Sequence, residues 1–372
     1  MKFICEKLLL LIAIITASHA AAAKSPVQVL EGLLIEANEE NVKITGYDLK
    51  TGIVTTIPAE VKETGALVLN AKLFGEIIRK APGQYINISV NSGLVAEISS
   101  EMSEYEILGS SPTDYPELPV VDGSDSIEIG ESILKKMISQ TKFAVSDNES
   151  RPIHTGALFE TGGGILTIVA VDGYRLALRR EPLENGNIPA FSFVVPRTAL
   201  DELEKIIADG DRVVSILPGS KHILFSVGDT VLISRRIEGE FLNYKNSIPQ
   251  MAKYKIKVEK NDLISAVERV SLIISDKLKS PIRCVFGNGI IKLYVSSALG
   301  KANDECAIDG DGEELEMGFN DRYLIEALKA APANNVLLNL SSGITPGVIA
   351  PADDSSNFLY MILPVRLKSY EN

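Results

Sequence analysis

The chain has 372 residues, of which 45% are hydrophobic and 23% charged, enough apolar side chain for two or three packed domains. Its net charge of −12 excludes a protein coated evenly in basic residues, although a local basic stripe is compatible with that total. The three cysteines, Cys5, Cys284 and Cys306, show neither metal-ligand spacing nor a disulfide framework, which favours a reducing compartment.

The N-terminal stretch allows two interpretations. Its basic start, the apolar run from Leu8 to Ala17 and the small residues around Ser18 are the parts of a secretory signal peptide. The same stretch fits a short strand over 2–5 followed by a buried helix, and its apolar run is too short to predict a membrane span. The choice between export and a core helix depends on the rest of the chain.

A helix followed by strand, turn and strand occurs three times along the chain, which predicts three similar modules. The Gly46-Tyr47 and Gly173-Tyr174 pairs occupy the same place in the first two modules, and the third lacks the pair. Each module then continues with a strand end, a cap-like residue and an amphipathic helix. The expected cap or first-turn residues of these helices are Asn70, Pro196 and Asn320, and Asn261 is the expected N-cap of the third module's first helix.

The repeat is roughly 125 residues long, the size of a domain rather than of a solenoid unit. It predicts domains over 1–122, 123–250 and 251–372, with linkers near 120–126 and 249–253. Because the second and third modules keep their first helix, the repeat assigns the run from Leu8 to Ala17 to a core helix. Export of a β-rich binding protein with a cleaved signal peptide remains the alternative.

No group of residues predicts catalysis. His19, His154 and His222 have no acid or cysteine at ligand spacing, and no nucleophile stands beside a base. The glycines from Gly162 to Gly164 lie between two strand patterns and predict a hairpin turn rather than a phosphate loop. The acids between Asp309 and Glu314 lack the EF-hand pattern and indicate a solvated loop. The sequence therefore favours a scaffold without metal or cofactor over an enzyme.

Several runs together resemble the bacterial β sliding clamp family, the processivity subunit of the replicative DNA polymerase. They are V-D-G-Y-R-L-A-L, R-R-I-E-G-E-F-L-N-Y-K-N-S-I-P, F-N-D-R-Y-L-I-E-A-L and the final Y-M-I-L-P-V-R-L, and they span almost the whole chain. The resemblance implies an α+β DNA clamp fold with three similar domains, each with two helices packed on antiparallel sheets. It also implies a head-to-tail homodimeric ring around duplex DNA, in the cytoplasm, without a catalytic site, cofactor or membrane.

The resemblance further implies a pocket in which replicative polymerase, clamp loader and repair proteins dock through a short peptide with apolar anchors. Leu242 and Asn246 depart from the family pattern, because some members carry proline and arginine there. The implied pocket residues are Arg151, His154, Val171, Gly173, Tyr174, Arg175, Leu176, Leu242, Ser247, Asn320, Tyr323, Ile344, Ile362, Leu363, Pro364, Val365, Arg366 and Leu367.

Two more surfaces are expected if the ring forms. Basic residues, mostly on helices, would face the DNA phosphates, and acids interleaved with them predict weak and salt-sensitive contact. The ring interface would place Tyr105 and Ile107 opposite Leu272 and Ile273, next to an acidic domain-one edge. The basic residues expected to face DNA are Lys24, Lys72, Arg79, Lys80, Lys135, Lys136, Lys142, Arg151, Arg197, Lys205, Arg269, Arg322 and Lys329.

Overall fold

The computed structural model describes residues 1–184, 189–275, 280–353 and 357–367. The chain divides into two compact units, one made of residues 1–134 and 198–236 and the other of residues 135–197 and 237–372. The second predicted module therefore contributes to both units, and the divisions fall within two of its helices.

The first third of the chain alternates between strands and two helices. Its elements are β1 (Lys2–Glu6), α1 (Lys7–Ser18), β2 (Gly32–Ala37), β3 (Asn41–Tyr47), β4 (Thr51–Pro58), β5 (Glu60–Glu63), β6 (Gly65–Asn70), α2 (Ala71–Lys80), β7 (Tyr85–Val90), β8 (Val95–Ser100) and β9 (Ser103–Leu108).

The middle third repeats this order with small changes. Its elements are β10 (Ile127–Gly130), α3 (Glu131–Ser139), β11 (Gly156–Gly162), β12 (Ile165–Val171), β13 (Arg175–Pro182), β14 (Ser192–Pro196), α4 (Arg197–Ile206), β15 (Val213–Pro218), β16 (His222–Val227) and β17 (Thr230–Arg235).

The last third repeats it again. Its elements are β18 (Tyr254–Glu259), α5 (Lys260–Ser271), β19 (Ile282–Gly287), β20 (Ile290–Ser297), β21 (Gly300–Ala307), β22 (Leu315–Phe319), α6 (Asp321–Ala330), β23 (Asn335–Leu340), β24 (Gly347–Pro351) and β25 (Phe358–Ile362).

The first unit holds two antiparallel sheets. One has the order β5-β1-β7-β8-β9, and the other has the order β10-β15-β16-β17-β4-β3-β2-β6. The second of these sheets joins two modules, because β17 pairs with β4 from Thr230 opposite Thr55 to Ser234 opposite Thr51.

The core of the first unit decides between the two interpretations of the N-terminal stretch. Strand β1 pairs with β5 and β7. Phe3 on this strand and Leu10 and Ile14 on α1 are buried among the apolar side chains of both sheets. The stretch is therefore part of the fold, as the repeat predicted, although Leu8 and Ile12 on the opposite face of α1 are exposed.

The second unit also holds two antiparallel sheets. One has the order β14-β11-β12-β13-β25-β24-β23-β18, and the other has the order β21-β20-β19-β22. The eight-stranded sheet again joins two modules, here by the pairing of β13 with β25, in which Arg175 lies opposite Ile362. Each joint thus continues a sheet from one module into the next through backbone hydrogen bonds.

The helix starts test the predicted caps. Asn70 accepts a hydrogen bond from the Leu73 amide and Asn320 from the Tyr323 amide, both at 3.0 Å, so these two predictions are confirmed. The prediction for Asn261 is wrong, because α5 begins earlier and Glu259 accepts the bond from the Asp262 amide at 2.8 Å. The longer glutamate side chain here satisfies a free amide of the first helical turn, as the shorter asparagine does at α2 and α6.

The glycine run was predicted correctly. Strands β11 and β12 pair across it, with Gly162 opposite Ile165. Gly163 and Gly164 have φ angles of +60° and +74°, which a tight turn requires and glycine adopts without strain.

Candidate peptide-binding corner

The corner between β12 and β13 is formed by Asp172, Gly173 and Tyr174. Oδ1 of Asp172 accepts hydrogen bonds from the backbone amides of Tyr174 at 2.9 Å and Arg175 at 3.1 Å, which fixes the turn. Gly173 has a φ of +93°, and no atom lies within 4 Å of where its Cβ would be. The Tyr174 side chain is 62% exposed and stacks on Tyr323 with ring centroids 6.2 Å apart. The corner therefore presents an aromatic face to solvent.

Arg175 holds the corner to α6. Its side chain is only 7% exposed, and its Nε donates to Asp172 Oδ2 at 2.8 Å. Its other nitrogens donate to Glu326 on α6 and to the Phe143 carbonyl oxygen, and the guanidinium lies 4.4 Å from the centre of the Tyr323 ring. The guanidinium group is planar, and its N–H groups donate in fixed directions within that plane. A buried arginine with charged and aromatic partners therefore fixes the positions of the groups around it.

Glu326 has two arginine partners. Burial alone would raise the pKa of this carboxyl, but hydrogen bonds from Arg322 and Arg175 hold the pKa below its ordinary value. The carboxylate therefore stays charged at neutral pH and keeps its bonds to both arginines. This links the corner to the exposed face of α6.

The segment after β25 lies along the corner. The Leu363 amide donates to the Tyr174 carbonyl oxygen at 2.8 Å, and the Val365 amide donates to the Gly318 carbonyl oxygen on β22 at the same distance. A Cβ at Gly318 would lie 2.4 Å from the Val365 carbonyl oxygen, so only glycine permits this approach. The segment thus places Leu363 next to Tyr174 and Val365 next to Gly318, both with partly exposed side chains.

The predicted pocket residues divide by burial. Val171, Leu176 and Ile362 are buried, and the first two pack with Val348 and Met361 in the core beneath the corner. Asn320 caps α6 and Tyr323 stacks on the corner. Around them, Pro364 and Leu367 are half-buried and Arg366 is exposed.

Other predicted pocket residues lie in neighbouring loops. His154 contacts the Phe241 ring at 5.7 Å, beside the exposed Leu242. Burial and the charge of Arg151 lower the pKa of His154, which keeps the imidazole neutral. Ser247 follows a short turn, and Ile344 is exposed in the loop between β23 and β24.

Sequence reasoning missed Asp172, Phe143 and Glu326. Asp172 could have been found, because aspartate before glycine is a turn signal. No local pattern marks Phe143 or Glu326, which reach Arg175 only through the fold.

Six of the thirteen basic residues expected to face DNA form ion pairs with acids. The ion pairs are Arg79 with Glu76 at 2.5 Å, Arg197 with Asp147 at 3.0 Å, Lys205 with Glu202 at 3.0 Å, Arg269 with Asp304 at 2.5 Å, Arg322 with Glu326 at 2.7 Å and Lys329 with Glu268 at 2.7 Å. Lys135 and Lys142 are half-buried. Within the described ranges, no ion pair involves Lys24, Lys72, Lys80, Lys136 or Arg151.

The residues expected at a ring interface lie on β9 and directly after α5. Tyr105 and Ile107 are half-buried on β9 and pack against the core of the first unit. Leu272, directly after α5, is 82% exposed, and Ile273 beside it is half-buried. An apolar side chain exposed to this degree is a candidate contact for another surface.

The described residues contain no cluster of three or more histidine, cysteine, aspartate or glutamate side chains that could hold a metal ion. Cys5, Cys284 and Cys306 are free and buried, and burial raises the pKa of each thiol. Among the described helices, none is both long enough and apolar enough to cross a membrane.

Comparison with known proteins matches three family models in chain order. They are the N-terminal, central and C-terminal domains of the DNA polymerase III beta subunit, over residues 1–119, 128–243 and 245–366. The beta sliding clamp of Halalkalibacterium halodurans is 33% identical over 94% of this chain and 95% of its own length. The beta sliding clamp of Staphylococcus epidermidis is 34% identical over 93% of this chain and 94% of its own length.

Solved structures give the same result. The DNA polymerase sliding clamp from Bacillus subtilis has a TM-score of 0.95 and 29% identity, covering 99% of this chain and all of its own. A putative DNA polymerase III beta subunit from Eubacterium rectale has a TM-score of 0.93 and 32% identity, and the match covers 98% of this chain and 99% of that one.

The fold and these matches define the class, a three-domain DNA clamp of the α+β type. Within this class, the chain belongs to the beta sliding clamp family, the beta subunit of DNA polymerase III. The relatives do not support the alternative of an exported binding protein, since the N-terminal domain model includes β1 and α1.

Proposed function

We propose that two copies of this chain form a head-to-tail ring around duplex DNA in the cytoplasm and tether replication proteins there without catalysing a reaction. The tethered proteins would be the replicative polymerase, the clamp loader and repair proteins. The proposed domains are residues 1–122, 123–250 and 251–372. The observation that carries the proposal is the open corner at Gly173 and Tyr174 in a chain of the sliding clamp family.

The corner suits a peptide with apolar anchors. Tyr174 and the neighbouring Leu363 are exposed, Val365 is exposed two residues further along the same segment, and Arg175 is bonded to Asp172 in the turn before Tyr174. Apolar side chains of a peptide would bury against this surface, and a few of them would supply most of the binding energy. Leu176 contributes from below, as part of the core that supports the surface.

A peptide titration tests the corner. The probe is a peptide that begins with glutamine and ends with leucine and phenylalanine, and calorimetry gives its affinity. Leu363→Asp places a carboxylate where an anchor would bury, which should cost more than about 2 kcal/mol of binding free energy. The backbone bond from Leu363 to Tyr174 is kept in this variant.

The matched control is Leu49→Asp. Leu49 is an exposed leucine in the turn between β3 and β4 of the first module. Its replacement should leave the peptide affinity unchanged. Equal affinity of the wild-type chain and a folded Leu363→Asp chain would show that the peptide binds elsewhere.

The ring would hold DNA by enclosure more than by attraction. Because acids pair with many of the basic residues, binding to a short linear duplex should be weak and should decrease as salt rises. A ring loaded on a closed circle should be retained. Tight, sequence-dependent binding to a short duplex would contradict sliding, since base contacts fix a protein in place.

A further inference from the structure

The joint between the first two modules contains a turn that corresponds to the corner between β12 and β13. Oδ1 of Asp48 accepts hydrogen bonds from the backbone amides of Lys50 at 2.9 Å and Thr51 at 2.7 Å. Asp172 makes the same two bonds at the corner between β12 and β13. The two turns therefore share one hydrogen-bonding pattern.

Backbone pairing extends the correspondence to the neighbouring strand. The Arg235 amide at the end of β17 donates to the Lys50 carbonyl oxygen at 3.0 Å. The Leu363 amide donates to the Tyr174 carbonyl oxygen in the same way. Lys50 thus takes the place of Tyr174, and Arg235 takes the place of Leu363. The first-joint corner, formed by Lys50 and Arg235, is therefore basic where the other corner is apolar.

Lys50 and Arg235 are like charges directly opposite each other on neighbouring strands. Both side chains are exposed, and within the described ranges neither forms an ion pair. Residues directly opposite across an antiparallel pair place their side chains on the same face, where like charges destabilise the pairing. An anion held between the two side chains would remove this repulsion.

The surroundings of the first-joint corner add positive charge. His222 lies opposite Arg235 on the next strand, and burial together with the charges of Arg235 and Lys221 lowers the pKa of His222. Asp122 acts on this pKa in the opposite direction, but both of its carboxylate oxygens accept hydrogen bonds from Ser220 at 2.7 Å. This carboxylate is therefore already bonded, and the corner keeps its positive charge.

The residues around the first-joint corner favour a peptide over nucleic acid. Single-stranded nucleic acid stacks its bases on exposed aromatic rings, and duplex DNA requires cations along several phosphates. The tyrosines next to the turn, Tyr47 and Tyr115, are buried and present no ring to a base. The backbone geometry matches that of the candidate peptide-binding corner, and arginine binds a carboxylate through two parallel hydrogen bonds. An extended peptide with carboxylates fits both features.

We propose that the first-joint corner binds an acidic segment of a partner protein, in which two carboxylates pair with Lys50 and Arg235. The guanidinium of Arg235 would hold one carboxylate through two N–H groups, and the ammonium of Lys50 would hold the other as a point charge. This inference goes beyond the proposed function, because it adds a docking position in the first unit that needs no apolar anchor.

The test is a titration of the full-length chain with a short labelled peptide of alternating glutamate and glycine, followed by fluorescence anisotropy at low ionic strength. Lys50→Glu and Arg235→Glu should each weaken binding by about tenfold, because repulsion then replaces attraction. The double variant should bind the matching peptide of lysine and glycine instead, which a misfolded chain would not do. Added salt should weaken both interactions.

A stability measurement separates binding from folding. Lys50→Glu sets a carboxylate opposite Arg235, so this variant should unfold at a temperature equal to or above that of the wild-type chain. The matched control is Lys255→Glu on β18, another exposed lysine that forms no ion pair with the described residues. It makes the same change in net charge and should keep the affinity for the acidic peptide within about twofold of wild type.

The proposal would be overturned if the wild-type chain did not bind the acidic peptide, or if Lys255→Glu weakened binding as much as Arg235→Glu. An oligonucleotide that bound more tightly than the peptide, and lost binding in the same variants, would assign the corner to nucleic acid instead. The peptide with apolar anchors should bind the Arg235→Glu chain normally. A failure at the first-joint corner therefore leaves the Leu363→Asp test unaffected, and the reverse also holds.

Discussion

The two Gly-Tyr pairs that the repeat was expected to set at the same place lie at different positions in the structure, and that expectation is wrong. Gly46 and Tyr47 are paired with β4 at the end of β3, whereas Gly173 and Tyr174 lie in the turn after β12. The residue of the first module that corresponds to Gly173 is Leu49, with a φ of +73° after Asp48. Tyr47 is 8% exposed and packs with Leu30 and Tyr115, while Tyr174 is 62% exposed. The difference shows that the same two residues are buried on a paired strand and exposed in a turn.

The chain itself fills the space at Gly46. A Cβ at Gly46 would lie 2.0 Å from the Ala17 carbonyl oxygen, so α1 packs directly against this part of β3. Tyr115 donates a hydrogen bond to the Thr45 carbonyl oxygen at 3.3 Å. At the corner between β12 and β13, the space around Gly173 is open. Under the proposed function, a peptide of another protein binds at this open corner.

The largest expected effect comes from adding one carbon to each glycine. Gly46→Ala should lower the free energy of unfolding by more than about 4 kcal/mol, because the new Cβ collides with backbone. Gly173→Ala should cost only the strain of its positive φ, about 1–2 kcal/mol. Urea denaturation followed by circular dichroism measures both.

Gly162→Ala is the control for this pair, since that position has neither a close contact nor a positive φ. It should change the unfolding free energy by less than about 0.5 kcal/mol. Equal losses for Gly46→Ala and Gly173→Ala would mean that the surroundings of the two glycines are equally packed.

Removing the two tyrosine rings should separate stability from binding. Tyr47→Ala leaves a cavity in the core and should cost about 3 kcal/mol of unfolding free energy. Tyr174→Ala should change stability by less than about 1 kcal/mol, because its ring is mostly exposed. The same variant should weaken peptide binding by about tenfold, because it removes an exposed aromatic contact.

Calorimetric titration of both variants completes this test. The Tyr47→Ala chain should bind the peptide normally at a temperature where it remains folded. If the Tyr47→Ala chain lost binding while the Tyr174→Ala chain kept it, the peptide would bind near Tyr47 and not at the corner between β12 and β13.

Helix periodicity and the repeat predicted the modules and the N-terminal helix, because these signals are local and recurrent, whereas the resemblance to the sliding clamp family predicted the clamp fold. It predicted Asn70 and Asn320 as caps for the same reason. It did not predict that Tyr47 is buried and Tyr174 exposed, since both follow a glycine, although Tyr47 ends β3 and Tyr174 lies in the turn after β12. Their burial depends on α1 and on Tyr115, which reach the corner only after the sheets have formed.

Leu176 shows the same limit within the candidate site. Its alternation in the strand pattern allowed either face, and only the pairing of β13 with β25 places it in the core with Met361. The positions of exposed residues such as Leu363 depend on the path that the segment after β25 takes across Gly318.

The smallest expected effect concerns the tyrosine that closes each of the first two modules. Tyr115 and Tyr244 are both buried, but the Tyr115 hydroxyl donates to a backbone carbonyl and the Tyr244 hydroxyl donates to Glu160 at 2.7 Å. Burial would raise the pKa of Glu160, but hydrogen bonds from Tyr244 and Lys245 hold that pKa below its ordinary value. The hydrogen bond from Tyr115 to the Thr45 carbonyl oxygen is therefore independent of pH, whereas the bond from Tyr244 depends on the charge of Glu160.

The two phenylalanine variants should separate these cases by pH. Tyr115→Phe should lose about 1 kcal/mol of unfolding free energy at every pH between about 3 and 8. Tyr244→Phe should lose about 1–2 kcal/mol near neutral pH. Because the folded pKa of Glu160 is lowered, its stabilising effect is complete above the unfolded pKa and disappears as pH falls through the folded value. The loss in Tyr244→Phe should therefore shrink below about pH 4, whereas a constant loss across this range would show that the charge of Glu160 adds nothing to the bond.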